Sequence, residues 1–187
     1  MYAHKGYEKF KSTILTEKKK DLLKLKEGQS PKTLFITCSD SRICANELTS
    51  TTQGELFVIR NAGNSIPHYE DSIGNADAAT LEYAVKVLGV KEIVVCGHTH
   101  CGAIGALMGG VDPNELGLIA SYLGKLTKLK ELSFSKKLSV EETIKENVNF
   151  QISNIQSYNF VQDAIKDGLK VYGWVYGIEN GEVEVLG

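Results

Sequence analysis

Four side chains that commonly bind soft or borderline metals lie within six residues, in the stretch VVCGHTHCG. They are Cys96, His98, His100 and Cys101. His98 and Cys101 are three residues apart across a predicted strand-to-helix turn, so both can face one point. His100 is expected to point elsewhere, and Cys96 lies inside the predicted strand. A single H-x-x-C is weak evidence for a metal, so a metal site needs further ligands from another segment.

A second loop, CSDSR, follows the β-prone run TLFIT and supplies Cys38. In open α/β sheets, ligands bind beyond the carboxyl ends of the strands, where the two loops could converge although about 60 residues separate Cys38 from His98. Two cysteines and one histidine form a known catalytic zinc set with an open fourth position. Thiolate and imidazole also favour Zn²⁺ over Mg²⁺ or Ca²⁺. We therefore predict a zinc site formed by Cys38, His98 and Cys101.

Asp40 and Arg42 lie two and four residues beyond Cys38. A carboxylate here could orient metal-bound water by accepting its hydrogen bond. Arg42 could hold Asp40 in a bidentate pair, which would lower the pKa of the carboxyl group and keep it ionised. Two alternatives remain: Asp40 could itself be a conditional fourth metal ligand, or the two residues could form a surface ion pair that only closes a turn.

The elements that must position these loops are predicted from periodicity and turn residues. An Asn-Gly pair at 180–181 between two β-prone runs predicts a terminal hairpin, and Gly89 is placed to end a helix. The expected fold is α/β: a central, mostly parallel sheet with an antiparallel edge strand, flanked by helices, in a single domain over 1–187. The predicted strands are 33–37, 55–60, 92–96, 170–176 and 182–186; the predicted helices are 77–88, 101–108, most of 113–160 with a polar break near 133–137, and an N-terminal helical arm over 1–27 that we expect to contain two short helices.

Composition narrows the class of protein. The 187 residues carry a net charge of −2 and a pI near 6.1, which gives no electrostatic reason to expect nucleic acid or an anionic membrane as partner. No apolar run approaches the roughly 20 residues of a membrane-spanning helix. The N-terminus lacks the apolar core of a secretory signal. Four sparse cysteines suit thiols or metal ligands in a reducing compartment. We expect a cytoplasmic protein.

The paired motif C-x-D-x-R and H-x-x-C resembles the β-class carbonic anhydrases, as do the segments GELFVIRNAGN and LEYAVKVLGV. The resemblance implies a zinc enzyme, with Asp40 and Arg42 as the catalytic dyad, that hydrates CO₂ reversibly to bicarbonate and a proton through a zinc-bound hydroxide. It also implies a homodimer or homotetramer, with the active site near the subunit interface and the N-terminal helices embracing the partner.

The resemblance further distinguishes two subtypes. Gln29, nine residues before Cys38, matches a substrate-binding Gln of the plant-like, open-site subtype. The bicarbonate-inhibited subtype carries Trp where this chain has Phe35, although Arg60 matches a residue of its bicarbonate site. We therefore expect the open-site subtype, with Gln29 and the backbone N–H of Gly102 as hydrogen-bond donors to substrate. The remaining substrate-binding residues would form an apolar slot for CO₂: Phe57, Ala62 and Tyr83.

Three alternatives stay open at this stage. Some proteins on this fold hydrolyse carbon disulfide or carbonyl sulfide, and rates with each gas would discriminate between these activities. A structural-zinc or redox-sensing module would use Cys44 or Cys96 as a fourth ligand, and would be inactive with full zinc occupancy. A nucleotide-binding domain is disfavoured because no Gly-rich phosphate loop follows the first strand.

Overall fold

The computed structural model describes residues 2–186, which form two compact units that divide between Ser30 and Pro31. In the first unit, α1 (Ala3–Lys9), a π-helical stretch (Phe10–Ile14) and α2 (Leu15–Leu25) follow one another without a break. The expected two short helices are therefore one continuous helical run, because no proline or glycine interrupts it after Gly6. None of the side chains described in these helices is buried, and Tyr7 and Leu23 are more than half exposed.

The second unit is built on a five-stranded sheet of β1 (Thr33–Cys38), β2 (Leu56–Asn61), β3 (Glu92–His98), β4 (Lys170–Tyr176) and β5 (Val183–Leu186). Their order across the sheet is β2-β1-β3-β4-β5. The first four strands are parallel and β5 is antiparallel to β4, as predicted. Side chains of the central strands alternate between two apolar clusters: Leu34 and Ile36 belong to one, and Phe35 to the other. Both faces are thus covered, which explains the nearly continuous apolar sequences of β1 and β3.

The predicted terminal hairpin is present. The Gly177 N–H donates to the Glu182 carbonyl at 2.9 Å, and Gly181 adopts a φ of 74°. This left-handed conformation suits glycine and closes the turn between β4 and β5.

Helices connect the strands at nearly the predicted positions. The predicted helix over 77–88 begins one residue earlier, continues as a π-helical stretch, and ends at Gly89 with a φ of 62°. The polar break falls between the helices Thr127–Ser135 and Val140–Gln156, where Ser139 and Glu142 form a capping box. Among the helices described, none is long and apolar enough to cross a membrane. The helical segments of this unit are α3 (Ala45–Leu48), a 3₁₀ turn (Tyr69–Asp71), α4 (Ala76–Glu82), the π-helical stretch (Tyr83–Leu88), α5 (Gly102–Gly109), α6 (Gly117–Gly124), α7 (Thr127–Ser135), α8 (Val140–Gln156) and α9 (Asn159–Lys166).

Helix α8 packs closely on β3 and β4 at two glycines. A Cβ atom on Gly97 would lie 2.8 Å from Cγ2 of Val148, and one on Gly173 would lie 2.9 Å from Cδ1 of Ile152. Such distances are shorter than van der Waals contact, so glycine is what allows the helix to approach. Gly97 immediately precedes His98, which ties the position of α8 to the end of β3.

Candidate metal centre

The two predicted loops converge at the carboxyl end of the sheet. The strands β1 and β3 are neighbours, with Thr37 opposite Cys96, so their ends lie side by side. Candidate ligand atoms of Cys38, His98 and Cys101 all lie within 4.8 Å of one another, and all three residues are buried. Within residues 2–186, this is the group of three that could hold a metal ion. Two cysteines and one histidine in this arrangement match the donor set of a zinc site.

His98 offers one ring nitrogen to this group. Its Nδ1 lies 2.9 Å from the Thr99 carbonyl oxygen, which can only accept, so Nδ1 carries the proton. Nε2 therefore has a free lone pair. It is buried and has no hydrogen-bond partner among the described residues. Burying such an atom is costly unless something binds it, and a metal ion would do so.

The two thiols interact strongly with each other. Pairing with the Cys101 thiol and the hydrogen bond from the Gly63 backbone N–H outweigh burial and lower the pKa of Cys38 to about 4. The same pairing with Cys38, together with burial, raises the pKa of Cys101. Two thiolates this close together in a buried site would repel each other, so the pair holds one proton more firmly than separate thiols would. Metal ligation requires both thiols to be deprotonated, so metal binding would displace the remaining proton.

Asp40 and Arg42 form the predicted bidentate pair. Arg42 Nε donates to Oδ1 at 2.9 Å and Nη2 donates to Oδ2 at 2.8 Å. These bonds, with that from the Arg42 backbone N–H, hold the pKa of the Asp40 carboxyl well below its usual range. Oδ2 lies 4.0 Å from His98 Nε2. An ionised carboxylate thus borders the candidate metal position.

Arg60 makes contacts that the sequence did not reveal. From β2, its guanidinium donates to the Cys38 carbonyl at 3.0 and 3.1 Å and to the Asp40 carbonyl at 2.7 Å. Arg60 therefore clasps the backbone of the loop that carries a thiol and the carboxylate. Only the parallel register, which pairs Thr37 with Arg60, brings the guanidinium there.

Three of the predicted substrate-binding residues, Gly102, Ala62 and Gln29, lie in three different parts of the structure. Gly102 is the first residue of α5. The backbone N–H groups of the next two residues, Ala103 and Ile104, oppose the rise in the pKa of the Cys101 thiol. Ala62 lies in the loop after β2, where its carbonyl accepts a hydrogen bond from Tyr122 at 3.1 Å. Gln29 belongs to the N-terminal unit. Their roles toward substrate stay predictions.

Phe57 and Tyr83 contact each other, with ring centroids 6.1 Å apart, but lie away from the thiols of their own chain. Phe57 is opposite Leu34, whereas Cys38 is opposite Asn61, four residues further along β2. Four residues of a strand span roughly 13 Å. Tyr83 is 44% exposed. Within one chain, these rings do not form a slot beside the metal position.

The remaining metal-binding side chains lie outside the group. Cys44 is exposed; Cys96 is buried, and burial raises the pKa of its thiol to about 12. The His100 ring lies 3.7 Å from Glu141 and 3.8 Å from Glu179, as expected for a residue that points away. Neither cysteine completes a four-ligand site, which removes the sequence argument for a closed structural-zinc module.

Comparisons with known proteins agree with this geometry. A profile described as carbonic anhydrase matches residues 33–183. A carbonic anhydrase of Pseudomonas aeruginosa is 37% identical over 97% of this chain and 84% of its own length. A solved structure of the beta-carbonic anhydrase CcaA superposes with a TM-score of 0.92 at 34% identity, over 98% of this chain and 92% of the other. A structure from Sordaria macrospora, described as one of two tetrameric beta-carbonic anhydrases, gives a TM-score of 0.88 at 27% identity, over 100% of this chain and 95% of the other. The chain therefore belongs to the beta-carbonic anhydrase family.

Proposed function

We propose that the protein is a zinc-dependent carbonic anhydrase that catalyses the reversible hydration of CO₂ to bicarbonate and a proton. The observation that carries this proposal is the buried Cys38–His98–Cys101 group, with a free lone pair on His98 Nε2 and an ionised carboxylate 4.0 Å away. Zinc bound by these residues would supply a Lewis acid that makes water a nucleophile near neutral pH.

Asp40 is proposed to orient the reacting water. Its Oδ2 lies near the His98 nitrogen, so it is placed to accept a hydrogen bond from a water molecule at the site. Because Arg42 keeps the carboxyl group ionised, Asp40 acts as an acceptor and does not retain the proton that the reaction releases. Arg42 is proposed to fix the plane of the carboxylate.

We propose that the site is of the open, plant-like subtype. Both carboxylate oxygens of Asp40 accept hydrogen bonds from Arg42, and the group of ligand atoms within 4.8 Å does not include Asp40. To become a fourth ligand, Asp40 would have to give up part of that pair. This supports a fourth position that is available to water.

The protein is proposed to act as a homodimer or homotetramer in which each subunit helps to form its neighbour's CO₂ slot. Phe57 and Tyr83 form a partly exposed aromatic pair at a distance from the thiols of their own chain. An apolar pair in this position can serve a metal site only across a subunit interface. Gln29, Ala62 and Gly102 are proposed to complete the substrate site. We also propose that residues 1–187 form a single domain and that its arm (1–27) embraces the partner. We propose a cytoplasmic location.

Stopped-flow CO₂ hydration by the zinc-loaded protein, scanned from about pH 6.5 to 9 beside Asp40→Asn, tests the proposal. We expect the hydration rate of the wild-type protein to rise smoothly with pH. We expect Asp40→Asn to have a much lower rate at the same zinc content. Activity that is absent below about pH 8 and abrupt above it would mean that Asp40 closes the site. Zinc-loaded protein without hydration at any pH would contradict the proposal, and carbon disulfide and carbonyl sulfide would then be assayed.

A further inference from the structure

Helix α8 carries three amide side chains on one face: Asn147, Gln151 and Asn154. Their spacing of four and three residues places them above one another. All three are buried, with exposed fractions of 1%, 0% and 7%. A polar row at this spacing usually faces solvent, so its burial requires partners.

The partners are backbone groups of the loop that follows β2. Asn147 Nδ2 donates to the Gly63 carbonyl at 3.0 Å. The Ile66 N–H donates to Gln151 Oε1, and Asn154 Nδ2 donates to the Ile66 carbonyl, both at 2.8 Å. The amides also bond one another: Gln151 Nε2 donates to Asn147 Oδ1 at 2.8 Å, and Asn154 Nδ2 donates to Gln151 Oε1 at 3.3 Å. We call these three residues the amide ladder. It fixes both ends of the segment 63–66.

One end of this segment contacts a candidate metal ligand. The Gly63 N–H donates to Cys38 Sγ at 3.5 Å. The carbonyl of the same peptide group, that of Ala62, accepts from Tyr122, and the next carbonyl, that of Gly63, accepts from Asn147. Gly63 has a φ of 78°, and a Cβ there would lie 3.4 Å from Ala103 Cβ. Its N–H is thus aimed at the sulfur by bonds on both sides.

We propose that Asn147 is a positioning residue for the Cys38 thiolate: it holds the Gly63 carbonyl so that the Gly63 N–H stays on the sulfur and tunes its strength as a metal ligand. The inference rests on the metal site of the proposed function. Partners behind the ligands of a metal site orient them and set their donor strength. Asn154 belongs to the same ladder but binds at Ile66, three residues away, so it should support the loop without controlling the sulfur.

The matched pair Asn147→Ala and Asn154→Ala tests this inference in the full-length protein loaded with Co²⁺. Metal affinity is measured by competition with a chelator, and the thiolate-to-cobalt charge-transfer band by absorption. An N–H donor stabilises the sulfur lone pairs, so its loss moves this band to longer wavelength. We expect Asn147→Ala to shift the band and to lower affinity by about 10- to 100-fold. We expect Asn154→Ala to lower the melting temperature similarly but to leave the band and the affinity unchanged.

Equal effects in both variants, or no effect in Asn147→Ala, would overturn the inference. If Asn147→Ala does not fold, the wild-type protein loaded with NMR-active cadmium decides, since a hydrogen bond to a metal-bound sulfur gives a scalar coupling between the Gly63 amide proton and the metal. Absence of that coupling would overturn the inference. Wild-type protein that binds cobalt through its thiolates but does not hydrate CO₂ would contradict only the proposed function. Wild-type protein that binds no metal would overturn both.

Discussion

Arg42 binds both carboxylate oxygens of Asp40 through two hydrogen bonds of 2.8 and 2.9 Å. The same guanidinium donates to the His100 carbonyl at 3.2 Å, so it also links the Cys38 loop to the His98 loop. A planar fork of this kind fixes the plane of the carboxylate, which a point charge cannot do. The geometry of the dyad therefore depends on the shape of the arginine and not only on its charge.

Arg42→Lys should raise the pKa of Asp40 and lower kcat/KM at neutral pH. The carboxyl pKa of Asp40 is lowered chiefly by the Arg42 side chain, so weakening that pair raises the pKa toward its ordinary value. That ordinary value is about 3.9, so Asp40 stays ionised at neutral pH, and the variant acts there through the lost placement of the carboxylate. We expect kcat/KM at neutral pH to fall about 10- to 100-fold. Stopped-flow hydration measures this fall, and an acid titration followed by NMR of the carboxyl carbon measures the pKa of Asp40.

The matched control for this variant is Lys145→Gln, which breaks the surface ion pair with Glu184. It should leave both kcat/KM and the titration of Asp40 unchanged. If Arg42→Lys gave the wild-type titration midpoint for Asp40, Arg42 would not be controlling the ionisation of that carboxyl group.

Arg60→Lys should lower kcat/KM while the protein keeps its fold. The guanidinium makes three hydrogen bonds to the carbonyls of Cys38 and Asp40, and one ammonium group cannot reproduce that pattern. The loop should loosen and the carboxylate should lose its placement, with a loss of roughly tenfold or more. Kinetics and a melting curve on the same sample separate the two effects. A drop in melting temperature with normal kinetics would show that Arg60 serves stability alone.

Gly97→Ala should destabilise the protein by about 1–3 kcal/mol, as overpacking of a core does. The new methyl group would lie 2.8 Å from Val148 Cγ2. Urea unfolding of Gly97→Ala, of Val148→Ala and of the double variant measures the effect, because the change at Val148 frees space for the new methyl group. The control is Gly105→Ala in α5, where a Cβ meets nothing within 4 Å. That change should stabilise the helix by about 0.5–1 kcal/mol. A loss in the double variant that equals the sum of the two single losses would argue against the contact.

Glu142→Gln should reduce thermal stability at neutral pH but not in acid. The backbone N–H and the hydroxyl of Ser139 lower the pKa of Glu142 in the folded protein. A lowered folded pKa contributes stability that is present above the unfolded pKa of about 4.3 and is lost as pH falls through the folded value. Melting temperatures of both proteins should therefore differ at pH 7, begin to approach each other below about pH 4.3, and converge once the pH is below the folded pKa. A gap that persists unchanged into acid would contradict this account.

Much of the fold is readable in the sequence because local and tertiary signals agree. The apolar runs of β1 and β3 predict buried parallel strands, and Asn180-Gly181 predicts the hairpin. The spacing of His98 and Cys101, together with the polar loop after β1, predicts the three side chains that the structure brings together. These signals depend on residues close in sequence or at the ends of recognisable strands.

Other features depend on strand register and on packing, which cannot be predicted from one sequence. The contacts of Arg60 and the placement of Phe57 follow from how β1 and β2 align. The spacing of Asn147, Gln151 and Asn154 suggests a solvated helix face, and only the loop after β2 makes it a buried one. The arm gave a helical signal without a break, yet two helices were expected where one run forms.

The three candidate ligands come from two stretches of chain about 60 residues apart, at the ends of adjacent strands. In polymer terms, an ion held there is a removable cross-link that closes a long loop. Such a link costs an unfolded chain much configurational freedom and a folded chain almost none. Metal binding at this site would therefore also connect β1 to β3. Removal of the ion would remove that connection between the two central strands.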